Sequence, residues 1–283
     1  MILLTGAQGQ LGQEFLSTFQ ERGISWIATD RLELDITDSD SVRRFVAARD
    51  VTCIINCAAY NNVDLAETEP EACREVNALA PGHLARAAKE KGVPFVTYST
   101  DFVFDGNSGR PYVETDTPGP LSVYGRSKLE GERAALELDP EALVIRTSWL
   151  FGAHGVNFVR RFLELCKTRD EIRMVSDQLS APTCTRDLVQ ATLLLLEGHA
   201  GGLFHVSNSG VASKFEFARE IALSIAWPGR LSPIDSKEFP VPAARPAYSK
   251  LDTAKLECVT RWRPPAWQDR VREVIRELTT HDG

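Results

Sequence analysis

An apolar run, Ile2-Leu3-Leu4-Thr5, leads without a break into Gly6-Ala7-Gln8-Gly9-Gln10-Leu11-Gly12, and a helical pattern follows at once. Glycines at a strand-to-helix turn narrow the possible folds sharply. Gly6 permits the tight turn, Gly9 lets a pyrophosphate approach the backbone, and Gly12 lets helix pack on strand. The helix N-terminus offers unpaired N–H groups and the positive end of its dipole. Asp30 closes the next apolar run, 18 positions after Gly12, near the ~20 expected of an acid that hydrogen-bonds an adenosine ribose. Asp30 favours NAD(H); its neighbour Arg31 suits a 2′-phosphate, so NADP(H) stays open.

Short apolar runs continue to alternate with amphipathic stretches. Strands are predicted over 26–29, 53–57, 95–99 and 143–147, and helices over 39–49, 71–91 and about 122–137. Strands alternating with crossover helices give an α/β fold with a doubly wound parallel sheet of Rossmann type, assigned to residues 1–150 as a NAD(P)-binding domain. Beyond Trp149 the pattern becomes irregular, with strands near 172–175 and 203–207 and helices near 185–197, 215–226 and 267–278. Prolines 228, 233, 240, 242 and 246 suit loops on a scaffold. Residues 151–283 are read as a smaller C-terminal substrate-binding lobe, some segments of which return to the first domain.

Composition excludes several function classes. A net charge of -7 argues against a nucleic-acid partner, which needs a clustered excess of Lys and Arg. No apolar run approaches the ~18 residues of a membrane span, and the chain opens directly on a strand, so no membrane and a cytoplasmic location are expected. The six cysteines lack CxxC spacing and read as reduced, buried small hydrophobes rather than zinc ligands or a redox pair.

The chemistry lies farther along. Tyr98-Ser99-Thr100-Asp101 ends the fourth strand, and Tyr124 with Lys128 follows on a helix that starts near Ser122. Tyr and Lys at i and i+4 share one helix face. An ammonium held close favours the phenolate, so Lys128 is expected to lower the pKa of Tyr124 toward the working range of an acid–base group. Thr100 is placed to hydrogen-bond a substrate carbonyl oxygen while Tyr124 gives it a proton. The glycine loop, Asp30, Ala58-Ala59-Tyr60 and Ser99-Thr100 all map to the carboxyl edge of the sheet, where ligands of such folds bind.

These residues, with the GxxGxxG spacing of the loop, resemble the extended short-chain dehydrogenases, and among them the dTDP-4-dehydrorhamnose reductases. The matching stretches are Asn56-Cys57-Ala58-Ala59-Tyr60, Tyr98 through Gly106, and Pro120-Leu121-Ser122-Val123-Tyr124-Gly125 with Lys128. In the second half they are Arg146 through Gly152, Asp177-Gln178 with Ala181-Pro182-Thr183, and Ala244-Arg245-Pro246 with Ser249, Leu251, Asp252 and Lys255. Cys57 and Asn61 depart from the usual Ala and Thr.

The resemblance implies reduction of the C4 keto group of dTDP-4-dehydro-6-deoxy-L-mannose to dTDP-L-rhamnose by NADPH or NADH. It implies Gly9, Gln10, Leu11, Asp30, Asp35, Ile36, Ala58, Ala59 and Tyr60 around the cofactor, and Tyr124 and Lys128 in catalysis, Lys128 also anchoring the cofactor ribose. Thr100, Asp101 and Trp149 are implied around the sugar, and Arg245 is the candidate for the substrate diphosphate, since a guanidinium matches phosphate oxygens. Some members of the family dimerise with help from Mg2+; no carboxylate cluster in the sequence establishes a metal site, so no metal ligand is assigned and a homodimer stays open. The competing readings are a reductase of another nucleotide sugar and a non-catalytic, cofactor-binding regulatory subunit.

Overall fold

A computed structural model describes residues 1–280. The strands of the first half are β1 (Ile2–Thr5), β2 (Trp26–Thr29), β3 (Cys53–Asn56), β4 (Phe95–Thr100) and β5 (Leu143–Thr147). Between them run α1 (Gln10–Arg22), α2 (Ser39–Ala47), α3 (Pro70–Arg74), a π-helical turn (Glu75–Leu79), α4 (Ala80–Lys91) and α5 (Val123–Leu138). The second half holds β6 (Leu150–Phe151), α6 (Phe158–Thr168), β7 (Glu171–Val175), β8 (Leu179–Ser180), β9 (Thr183–Cys184) and α7 (Thr185–Glu197). It continues with β10 (Gly202–His205), β11 (Ala212–Ser213), α8 (Lys214–Ser224), β12 (Arg230–Ile234), α9 (Ala254–Thr260) and α10 (Trp267–Thr280).

Six strands form one parallel sheet in the order β10-β5-β4-β3-β1-β2. Both faces are covered because alternate residues of each strand point to opposite sides. Leu4, Ile55, Val96 and Ile145 pack with Phe15 and Phe19 of α1 and with Leu188 and Leu195 of α7. Leu3, Ile54, Phe95 and Val144 pack with Val42 of α2, Leu84 of α4 and Ala135 of α5 on the other face. Fully burying each of these larger side chains contributes about 1.5–3 kcal/mol. The strand near 203 and the helix near 185, both late in the chain, thus complete the first sheet.

The lobe has its own core, built on Phe151, Phe162, Phe217 and Trp267. Several features of the chain differ from the sequence pattern. Helix α6 stands where no helix was expected, capped by Asn157, whose side chain accepts from the Arg160 amide at 3.2 Å. β12 runs through Pro233, inside the proline-rich stretch expected to be loop; as one strand of a two-stranded sheet with β7 it is an edge, where a missing N–H is tolerated. Cys258, expected buried, is exposed on α9, and Cys57 and Cys166 are part-exposed. The helix expected over 71–91 is also interrupted by its π turn, which carries the buried Asn77. Among the described residues no helix is long and apolar enough to cross a membrane.

Candidate active site

Gly6 has φ +65°, and a Cβ there would lie 2.5 Å from the Ala58 amide nitrogen, so only glycine lets the end of β1 touch the chain leaving β3. A Cβ on Gly12 would lie 2.4 Å from the Gly6 carbonyl, which is the close packing of helix on loop that the spacing predicts. Gly9 occupies the N-cap of α1 with no side-chain cap, and the first turn holds no acid. The first amides of α1 are left for a ligand. Gln10 adds a buried side-chain oxygen with no hydrogen-bond partner. Leu11 is packed into the core, so only its backbone is available to a cofactor.

A cavity of about 500 Å³ opens beside this turn. Gly6, Gly9, Asp30, Arg31, Asp35, Ile36, Ala58, Ala59, Tyr60 and Asn61 line it. The Asp30 carboxylate accepts from the Leu32 amide at 2.8 Å and from the Gln8 side chain. Arg31 is exposed on the rim. Asp35 accepts from the Thr37 hydroxyl at 2.7 Å and from its amide at 3.0 Å; these bonds, with Arg31 nearby, hold its carboxyl below the usual range. The Tyr60 hydroxyl donates to Glu69 at 2.6 Å, which pushes its pKa up to about 12. Backbone at Tyr60 is gripped from both sides by Asn77, which accepts from its amide at 2.9 Å and donates to its carbonyl at 3.0 Å.

Helix α5 is pressed against this wall by two glycines. A Cβ on Gly125 would lie 2.3 Å from the Phe102 carbonyl, and one on Gly131 would lie 2.0 Å from the Asn77 carbonyl. Ser122 caps the helix, accepting from the Gly125 amide at 3.1 Å. Ser127, between the two chemical residues, accepts from the Asn77 side chain at 3.2 Å. Asn77 therefore ties the cavity wall to α5, a role its sequence neighbourhood does not signal.

Tyr124 packs edge-on against Phe102, with the Thr100 hydroxyl near its phenol. Burial pushes its pKa up, and the nearby Thr100 hydroxyl only partly opposes that. This corrects the expectation that Lys128 lowers it. The Lys128 ammonium instead donates to the Tyr98 carbonyl at 2.5 Å, and burial pushes it down to about 8. Desolvation outweighs the lysine because the ammonium is spent on the strand end and both groups are deep in protein. Thr100 also donates to Asp101 at 3.1 Å and accepts from the Phe102 amide at 3.2 Å, so it caps the turn as well as meeting Tyr124. Beside it the Ser99 and Thr147 hydroxyls are buried without partners.

Two residues expected at the sugar or its phosphates are committed elsewhere. Asp101 is 1% exposed and accepts from the hydroxyls of Ser249 at 2.5 Å and Ser180 at 3.0 Å, which pins the end of β4 to the lobe. Arg245 pairs bidentately with Asp64 at 3.0 and 2.8 Å and donates to the Ala243 carbonyl at 2.8 Å. Three of its five N–H donors are used in this way. Trp149, part-exposed between β5 and β6, adopts φ +43°. A lysine that sequence reasoning passed over, Lys214, holds its ammonium 3.6 Å from the centre of the Trp149 ring. Its one signal in sequence was Ser213-Lys214-Phe215-Glu216, a capping box that opens α8. Among the described residues no group of three or more His, Cys, Asp and Glu side chains is placed to hold a metal ion.

A tyrosine and lysine one turn apart, held against a strand end beside a glycine cradle, place the chain in the extended short-chain dehydrogenase/reductase class, enzymes that move a hydride to or from a nicotinamide. Within that class the chain belongs to the family described as the RmlD substrate binding domain, whose model matches residues 1–280. It is 41% identical to a dTDP-4-dehydrorhamnose reductase of Mycolicibacterium smegmatis, over 98% of this chain and 87% of that protein. A solved dTDP-4-dehydrorhamnose reductase of Clostridium acetobutylicum superposes with a TM-score of 0.95 at 38% identity, covering 98% of this chain and 99% of that one. The Bacillus anthracis dTDP-4-dehydrorhamnose reductase, solved in complex with NADP, also gives 0.95, at 35% identity and 98% of both chains.

Proposed function

We propose that this chain reduces the C4 keto group of dTDP-4-dehydro-6-deoxy-L-mannose to dTDP-L-rhamnose, a step of rhamnose biosynthesis. The observation that carries this reading is the juxtaposition of Tyr124, Thr100 and Lys128 at the edge of β4, next to the glycine cradle. Residues 1–150, with the segments that return to the sheet, form the cofactor side, and the rest of 151–283 shapes the sugar site; positions 281–283 lie outside the described residues.

The free amides of α1, the Gln10 oxygen and the cavity floor at Ala58-Ala59-Tyr60 suit a dinucleotide, with Gly6, Gly9 and Gly12 shaping the turn, Leu11 giving its backbone, and Asp35-Ile36 bordering the cavity. Asp30 suits a ribose, and the exposed Arg31 is the cation at hand for a 2′-phosphate, so NADPH is accepted as well as NADH. The nicotinamide, when bound, supplies the hydride that adds to C4.

Thr100, on turning its one hydroxyl hydrogen from Asp101 to the ligand, donates to the C4 oxygen and orients it. Tyr124 gives that oxygen its proton as negative charge develops there; burial favours the neutral phenol, so the proton is present at neutral pH. Lys128, one turn along the same face, stabilises the phenolate charge that develops on Tyr124 as its proton leaves, and stands beside the cofactor ribose. Trp149 offers its ring to the sugar.

The test is loss of reduced-cofactor absorbance when purified protein meets the keto sugar, run with NADH and with NADPH. Rapid oxidation is expected with at least one. Cofactor binding without oxidation of either would overturn this reading.

A further inference from the structure

Lys214 is the first residue of α8, directly after the Ser213 cap. A cation there opposes the helix dipole, which favours acids in the first turn, so the helix gains nothing from it. The residue as a whole is half-buried, yet desolvation of its ammonium pushes it down to about 7. It rests over Trp149 and lies 5.2 Å from the Phe158 ring centre, and among the described residues it has no hydrogen-bond or ion-pair partner. An ammonium carries three donors, and among the described residues no protein acceptor meets any of them.

The charged groups around it do not remove the deficit. Asp101 is within electrostatic reach, but its carboxylate takes the hydroxyls of Thr100, Ser180 and Ser249. Arg245, also close, is compensated by Asp64 and adds like charge. Lys214 thus stands on Trp149 as a cation that no carboxylate of the described residues pairs with directly. Such a group fits an anion that arrives with the ligand.

We propose that Lys214, not Arg245, binds the diphosphate of the nucleotide sugar. The proposal rests on the nucleotide-sugar reading above and adds a residue to it. Arg245 stays paired with Asp64 and holds the loop that frames the site.

The experiment uses the full-length protein and dTDP as probe, titrated calorimetrically into wild type, Lys214→Met and Lys214→Arg, with NADPH titrated in parallel. Lys214→Met is expected to weaken dTDP by about tenfold or more, as loss of a charge-assisted bond requires. NADPH affinity should stay unchanged and, in turnover, KM for the keto sugar should rise with kcat nearly kept. Lys214→Arg should keep dTDP binding within about threefold. The ligand-free Met variant should melt no lower than wild type, because it removes a partly desolvated charge that no protein group pairs with. Lys214→Met that binds dTDP within about twofold of wild type would sink the proposal, as would a Met variant that melts much lower with no rescue by Arg. Failure of the reductase reading shows separately, as wild type that binds dTDP but oxidises no cofactor with the keto sugar.

Discussion

The two walls of the crevice treat a buried lysine in opposite ways. On the sheet wall, Lys128 donates to the Tyr98 carbonyl, and the helix that carries it is clamped by Gly125 and Gly131. On the lobe wall, Lys214 lies on an aromatic ring with no hydrogen bond, beside a tryptophan in left-handed backbone. The Lys128 ammonium has its partner before any ligand arrives; on the proposal above, Lys214 gains one with the ligand. The difference teaches where a mutation should cost stability and where it should cost binding.

The largest effect tests the sheet wall's chemistry. Tyr124→Phe should cut turnover by about 10²–10⁴-fold, the range of a lost general acid, while the cofactor dissociation constant stays nearly unchanged. A fully active variant would break the assigned mechanism. Lys128→Met comes next: it strands the Tyr98 carbonyl and should lower stability by about 1–3 kcal/mol in a denaturant titration, besides slowing turnover. If it stabilises the protein, the two walls are not different in kind.

Lys214→Met should have the opposite sign, stabilising the ligand-free protein by about 1–2 kcal/mol. Its pKa is depressed from the ordinary 10.5 to about 7, so the unfolded chain binds the extra proton more readily than the folded one. The wild-type penalty is therefore fully present below pH 7 and fades as pH rises toward 10.5. The advantage of the Met variant, measured as a melting-temperature difference, should follow the same course; Arg245 is common to both proteins, while Asp101, whose carboxyl burial pushes up and the Lys214 ammonium pulls down, loses that support in the variant. A difference independent of pH would mean that the ammonium is not what is being removed. The smallest effect sharpens the contrast within the lobe: Arg245→Ala should cost about 1 kcal/mol or less, since its pair with Asp64 is part-exposed, and should move dTDP affinity less than threefold.

The sheet was legible because parallel strands buried on both faces write continuous apolar runs, and the glycine turn fixes where the first of them ends. Lobe elements were harder to read. The α6 pattern, Phe158, Val159 and Phe162 after the Asn157 cap, was available but short, and β12 is disguised by Pro233. At the site, single-residue identity was legible and pairing was not. The resemblance implies Asp101 at the sugar, but the hydroxyls that occupy it come from residues 79 and 148 positions away. The tuning of Tyr124 was misread for a related reason: spacing places Lys128 on the right face, while its bond to the Tyr98 carbonyl depends on tertiary packing.

The late return of β10 to the sheet has a bearing on how the molecule can be dissected. It covers the flank of β5, pairing from Gly202 with Leu143 to His205 with Arg146. A fragment cut after residue 150 would keep every glycine of the cradle and the Tyr124 helix, yet it would display β5 as a bare flank of unpaired N–H and C=O groups. Such a flank recruits other chains. Attempts to make the cofactor-binding half alone should therefore give aggregates, whereas a circular permutant that carries 185–205 along with the first half offers a route to a soluble minimal nucleotide binder.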